Sequence, residues 1–289
     1  MNTMVEQMIQ AYGAQTVYDQ KNVMKEVMQE IVLCELSRIG FFGKAAFYGG
    51  TALRIFYGLD RFSEDLDFSL MQKEEDFSIQ VYFSALEKAV GAYGLHLKID
   101  EKMKAMDSNV QSAFLNGNTK EHLLMFYPAE KEFANVSNHE VTRIKFEIDV
   151  NPPGYATFER KYRLQPIPYE VNLYDESSLF AGKLHAVIGR SWKNRVKGRD
   201  LYDYVFYLTK GISFNQKHLR ARLMQSGHIG EHSKGDLPEI KEMLVGRFGT
   251  IDFAQAKNDV APFIRDPRVL DIWSADFFKQ ITDGLKCIY

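Results

Sequence analysis

Between Tyr48 and Phe68 the chain reads YGGTALRIFYGLDRFSEDLDF, and the end of that stretch restricts the fold more than anything else in the sequence. Asp65 and Asp67 are separated by one apolar residue, Leu66, and followed by another, Phe68. On an extended strand this spacing puts both carboxylates on one face and both apolar side chains on the other. Two carboxylates side by side repel, and one takes up a proton unless a cation sits between them. The pair therefore reads either as solvated acids on an edge strand or as half of a divalent-metal site. Gly49-Gly50-Thr51, just upstream, has the same two sides. Glycine there can simply supply unusual backbone dihedrals. Alternatively, backbone N–H groups at a helix start, with the Thr51 hydroxyl added, cradle a phosphate.

A second acidic pair shifts the balance. From Arg143 to Asn151 the chain alternates, with Ile144, Phe146, Ile148 and Val150 on one side and Arg143, Lys145, Glu147 and Asp149 on the other. Pro152-Pro153 ends the run. If this strand lies beside the Asp65–Asp67 strand, three or four carboxylates converge, which a bound divalent cation makes tolerable. All-oxygen ligands suit magnesium or manganese rather than zinc.

The remaining elements follow from periodicity. Helical spacing runs from Val17 to Ile39 and stops at Gly40; Ala45–Tyr48 is a short apolar piece, and Ala52–Tyr57 suits a short helix. Phe77–Tyr93 returns to the helical period, Leu95–Ile99 alternates, and Leu123–Tyr127 reads as a further strand. Ile167–Leu173 alternates again, after which Leu179–Ile188 and Leu201–Leu208 are helical in period. The texture change puts a domain boundary near residue 174, with a mixed α/β part at 1–174 and a mainly helical part at 175–289. His228 and His232 are four apart but lie in a glycine-interrupted stretch that reads as a loop, not as a metal-binding helix.

The bulk numbers exclude several classes. A formal net charge of −2 rules out wholesale coating of nucleic acid, so any such contact is local. Two distant cysteines, Cys34 and Cys287, make neither a disulfide scaffold nor a zinc ribbon and fit a reducing cytoplasm. No apolar run approaches the roughly 18 residues of a membrane span.

Two cationic features stand out. Lys183 lies in FAGKLHA, among small neighbours, and is either a solvent-facing helix lysine or a point charge for nucleotide phosphates. Arg190, Lys193, Arg195, Lys197 and Arg199 crowd one segment with Trp192. They form a charged surface loop or a local contact for an RNA backbone with a ring available for stacking. Asp200 opens the next helix, where an acid caps the N-terminus.

Four blocks in order, GGTALR…RFSEDLDF, KFEIDVNPP, SLFAGKLHA and KGRDLYDYVFYL, resemble the AbiEii/AbiGii-type toxin family, a branch of the polymerase-β-like nucleotidyltransferases. They span residues 48–208; the spacer from Gly49-Gly50 to Asp65 is slightly long, and Thr51 stands where serine is common. The resemblance implies an α+β fold: a mixed-sheet nucleotidyltransferase core with flanking helices, then a helical C-terminal domain completing the cleft. It implies that Asp65 and Asp67 bind metal, that Glu147 or else Asp149 supplies the third carboxylate, that Lys183 neutralises triphosphate, and that Asp200 holds Lys183 or the substrate. Implied partners are an NTP, RNA (tRNA foremost) and a cognate antitoxin, in toxin–antitoxin or phage-defence pairs. The same fold could instead modify a small molecule or a protein, or bind NTP without catalysis.

Overall fold

The structure is a computed structural model, described here for residues 3–74, 76–101, 109–127, 133, 136–192 and 195–289. The elements in chain order are α1 (Thr3–Gln10), α2 (Val17–Arg38), β1 (Ala45–Tyr48), α3 (Gly49–Tyr57), β2 (Leu66–Leu70), α4 (Phe83–Gly91), β3 (Lys98–Glu101), β4 (Val110–Asn118), α5 (Thr119–Phe126) and β5 (Val141–Asp149). They continue with β6 (Phe158–Arg163), β7 (Tyr169–Tyr174), α6 (Glu176–Gly189), α7 (Gly198–Thr209), β8 (Phe214–Asn215), α8 (Gln216–Gln225), α9 (Leu237–Phe248), α10 (Phe253–Val260), α11 (Ala275–Thr282) and β9 (Cys287–Ile288). Two compact units form, both discontinuous in sequence. The first comprises Met1–Ala52, Ser63–Pro152 and Arg160–Leu173; the second comprises Leu53–Phe62, Pro153–Glu159 and Tyr174–Tyr289.

The first unit is built on a seven-stranded mixed sheet in the order β3-β4-β5-β2-β1-β7-β6. β2 runs antiparallel to β1 and parallel to β5, so the two acidic strands are neighbours. Alternation sorts their side chains. Phe47, Leu66, Phe68, Phe146 and Ile148 are all at most 2 % exposed on one face, and Asp67, Glu147 and Asp149 are half-buried on the other. Phe68 is the hub of the apolar face, with ring centroids 4.6 Å from Phe146, 5.0 Å from Phe41 and 5.1 Å from Phe47. Truncating such a residue to alanine costs about 3–5 kcal/mol. α2 packs on this unit with Val23, Val27, Ile31 and Leu33 buried, and starts at a reciprocal capping box between Thr16 and Asp19.

The Leu123–Tyr127 segment is not a strand. It lies in and just after α5, whose start is fixed by the Asn118 side chain accepting from the Glu121 N–H, and whose His122, Leu123 and Phe126 are buried together. Five apolar residues carry too little period to separate the two states, and the cap outside the run decides. β4 and β6 are strands that the alternation does not mark. β4 carries small and polar residues within the sheet, and β6 is a charged edge strand reading FERKYR.

In the second unit the helices gather on aromatic rings. Phe180 of α6 stacks on Tyr207 of α7 at 4.4 Å, and Phe278 of α11 meets Phe248 of α9 at 5.1 Å. α7 begins at Gly198, where any side-chain carbon would run into the backbone carbonyl of Ala256 in α10. Only glycine permits that approach. Among the described residues no helix is long and apolar enough to cross a membrane.

Candidate active site

The acids of the first unit form a row across the sheet. Tyr48 of β1 is opposite Asp67 of β2, Asp67 is opposite Glu147 of β5, and Glu147 is opposite Ser112 of β4. One step along, Ser69 is paired with Asp149. Asp65 immediately precedes β2, and its backbone carbonyl accepts a hydrogen bond from the Thr51 hydroxyl. Thr51 is 1 % exposed, so its hydroxyl ties the start of α3 to the acidic segment rather than facing a ligand. In this structure the Thr51 hydroxyl proton is engaged by that carbonyl. Gly49 itself has φ +83°, and a Cβ there would stand 3.0 Å from the Cβ and 3.1 Å from the Cγ of Asp67. The glycine is needed twice, for its left-handed backbone and for the room it leaves the Asp67 carboxylate.

Glu147 is already held. Lys145 Nζ lies 2.5 Å from its Oε2, and the Ser112 hydroxyl donates to its Oε1 at 2.9 Å. Among the described residues no group of three His, Cys, Asp or Glu is arranged to hold a metal ion. The donor chemistry of the row nevertheless suits a hard cation: adjacent half-buried carboxylates on one face, all oxygen. Asp67 and Glu147 meet in one register. A third ligand is not in place while the Lys145 ammonium occupies Glu147.

The second unit holds an alternating chain of charges. Arg61 donates from Nε and Nη2 to the two oxygens of Asp203, each at 2.7 Å. Lys183 Nζ lies 2.8 Å from Asp203 and 2.7 Å from Asp200, and Arg190 closes on the other oxygen of Asp200. Asp200 and Asp203 share a face of α7 because they are three apart. Side-chain exposure grows along the chain from 3 % at Arg61 through 14 % at Lys183 to 49 % at Arg190. Burial works to raise the Asp200 pKa, but Lys183 and Arg190 outweigh it and hold the carboxyl below its ordinary value. Burial likewise works against the charge on Arg61, and Asp203 overcomes it. Asp200 is thus ion-paired with Lys183 and Arg190 in this structure. Arg61 and Asp203 were not singled out by sequence; the available signal was the three-residue spacing of Asp203 from Asp200 on an otherwise apolar helix.

Three cations of the basic segment are paired with acids. Arg190 is on Asp200, and Arg195 Nε donates to Asp259 at 2.6 Å. Arg199 is 3.9 Å from Asp259, with its guanidinium 4.3 Å from the Phe263 ring centroid. Lys197 is pulled below the usual lysine pKa by burial and by Arg199, Arg195 and Arg190. Arg247 covers one face of Trp192 at 4.3 Å. Lys193 lies outside the described residues. His228 and His232 do lie in a loop, with His228 bonded to the Gly189 carbonyl.

The family model described as "Nucleotidyl transferase AbiEii toxin, Type IV TA system" matches residues 31–278. The chain belongs to the AbiEii toxin family. The AbiEii assignment covers both the acidic row and the charge chain, and makes the protein a nucleotidyltransferase and the toxin of a toxin–antitoxin system. The fold agrees. The crystal structure of JHP933 from Helicobacter pylori is similar at TM-score 0.50 and 18% identity, covering 91% of this chain and 90% of that one. A second H. pylori structure, provisionally described as a nucleotidyltransferase, aligns at TM-score 0.47 and 19% identity over 90% of this AbiEii chain and 92% of its own. No curated protein matches.

Proposed function

We propose that this AbiEii protein is a cytoplasmic phage-defence toxin that transfers a nucleoside monophosphate from an NTP to RNA, tRNA foremost, in a reaction dependent on magnesium or manganese. An acceptor hydroxyl gives up its proton to solvent as its oxygen bonds to the α-phosphorus, the α–β phosphoanhydride bond breaks, and pyrophosphate leaves with the bonding electron pair. Asp65, Asp67 and Glu147 are the residues that would hold the metal, with Asp149 next in line on the same strand. When bound, such an ion neutralises phosphate charge and lowers the pKa of an attacking hydroxyl. The protein's own share is positioning and charge. Gly49 leaves room for the Asp67 carboxylate, Lys183 is the cation we assign to the triphosphate, and Asp200 with Asp203 fixes its ammonium.

The observation that carries this reading is the Asp67–Glu147 register on β2 and β5, in a chain of the AbiEii family. The test is to incubate the protein with magnesium, each α-labelled NTP in turn, and total tRNA. Label should enter tRNA with wild type and not with Asp65→Ala/Asp67→Ala. Equal labelling by both proteins, or none by either, refutes the reading. The pairing of Arg190, Arg195 and Arg199 with acids favours a second reading, in which the acceptor is a protein or small molecule. Asp67-dependent pyrophosphate release that needs an added protein or small-molecule acceptor, with no label in tRNA, selects it.

A further inference from the structure

A cavity of about 370 Å³ opens in the second unit. Its wall on α7 is the stripe Tyr202, Val205, Phe206 and Thr209, at helical spacing i, i+3, i+4, i+7. At 100° per residue that stripe lies roughly opposite Asp200, while Asp203 borders it beside Phe206. Trp273, 5 % exposed, adds a third ring beside Tyr202 and Phe206, its centroid 6.4 Å from that of Tyr202. The Lys210 ammonium sits 5.7 Å from the Phe206 centroid.

The polar content is sparse and directional. The Tyr202 hydroxyl donates to Asp60 Oδ1 at 2.8 Å, while Asp60 Oδ2 accepts no hydrogen bond among the described residues. The Thr209 hydroxyl already donates, to the Phe206 carbonyl. A pocket of this size, with three rings and one carboxylate oxygen to spare, suits a flat partner that offers a hydrogen-bond donor at its edge. Asp60 is exposed, so an edge donor there replaces water on its free oxygen, and Lys210 on the same rim offsets its charge.

We propose that this pocket binds an amino-bearing nucleobase (adenine or cytosine rather than uracil), stacked against the rings with its exocyclic amino group donating to Asp60. Stacking is indifferent to the base, because each presents a π-face. Asp60 supplies the selection: the amino group of adenine or cytosine donates to it, whereas uracil offers one ring N–H flanked by two carbonyls that repel a carboxylate. The base can arrive on a free nucleoside or as an unstacked base of RNA. The site is independent of the transfer reaction and is read by binding alone.

The sequence has two tryptophans, so Trp192→Phe leaves Trp273 as the sole tryptophan, excited apart from the tyrosines at the red edge. Adenosine, cytidine, uridine and short oligo(A) and oligo(U) are titrated against this protein without divalent metal or NTP, and calorimetry on the wild-type chain repeats the series. Saturable change in Trp273 emission is expected with adenosine or cytidine, or with oligo(A) alone if the base is read only within RNA. Binding should be about tenfold weaker for the uracil counterpart, and about tenfold weaker in Asp60→Asn, the scale of one hydrogen bond to a charged group. Absence of binding by every ligand in both measurements, equal affinity for adenine and uracil ligands, or unchanged binding in Asp60→Asn overturns the proposal. None of these failures bears on the transfer reading.

Discussion

Replacing Gly49 by alanine separates the geometry of the acidic row from the stability of the unit that carries it. Two costs are expected. The first is conformational: φ +83° in an L-residue costs about 1–2 kcal/mol, or roughly 2–8 °C in melting temperature for a chain of this size. Gly40 provides a matched control, with φ +79° and no described heavy atom within 4 Å of where a Cβ would stand. Gly40→Ala should show the conformational cost alone. The second cost belongs to Gly49 only. A methyl 3.0 Å from the Asp67 Cβ and 3.1 Å from its Cγ is inside ordinary contact distance, and the carboxylate is nearer still. Relief requires the carboxylate to swing by roughly 1 Å, and a misplacement of that size costs about a hundredfold in rate. Melting temperature and Asp67-dependent nucleotide transfer are measured on both variants. Similar losses of melting temperature are expected, with transfer near wild type in Gly40→Ala and about a hundredfold lower in Gly49→Ala. If Gly49→Ala retains transfer within about threefold of Gly40→Ala, the Gly49–Asp67 contact does not set the site.

Three further outcomes follow from the charge arrangement. Lys145→Met frees Glu147 from its ammonium; the partners are 33% and 22% exposed, so after solvent screening the pair is worth at most about 1 kcal/mol, and calorimetry should show divalent-metal affinity raised by up to about fivefold. Weaker metal binding would show that the lysine supports the site instead. Asp203→Asn leaves Arg61, 2 % exposed, against a neutral amide, and urea unfolding should show a loss of about 3–5 kcal/mol; a loss below about 1 kcal/mol would mean the pair is not the anchor of the chain. Because the Asp200 pKa is depressed by Lys183 and Arg190, its stabilisation is fully present above the ordinary aspartate value of about 3.9 and is lost as pH falls through the lower folded value. The stability gap between wild type and Asp200→Asn should therefore be constant above about pH 5 and shrink in acid; a gap that widens toward low pH contradicts the assignment.

Much of the first unit could be read from the chain because its strands alternate cleanly. β5 shows the pattern in full, and the β2–β5 register then brings Asp67 beside Glu147. β4 escaped notice because Ser112, Asn116 and Gly117 interrupt its apolar positions, although Ser112 ends up bonded to Glu147. The apolar run of α5 reads as a strand because the cap that sets it as a helix, Asn118, lies outside that run. In the second unit, Lys183 and Asp200 stood out by their local wording, whereas Arg61 and Asp203 did not. A lone charge in sequence reads as surface, and that these two bury each other depends on segments 142 residues apart. The same holds for Asp259, which neutralises Arg195 from 64 residues away and changes the meaning of the basic segment. Local pattern fixes which face a side chain takes; it does not reveal which distant charge will meet it.

Asp67 and Glu147 lie side by side on β2 and β5, where we propose they hold a divalent cation that serves NTP. Manganese binding in the presence of NTP, followed by electron paramagnetic resonance on wild type, Asp67→Asn and Glu147→Gln, tests it most directly. The account predicts saturable manganese binding by wild type and at least a tenfold weakening in each variant at unchanged melting temperature. Variants that bind manganese as tightly as wild type would contradict it.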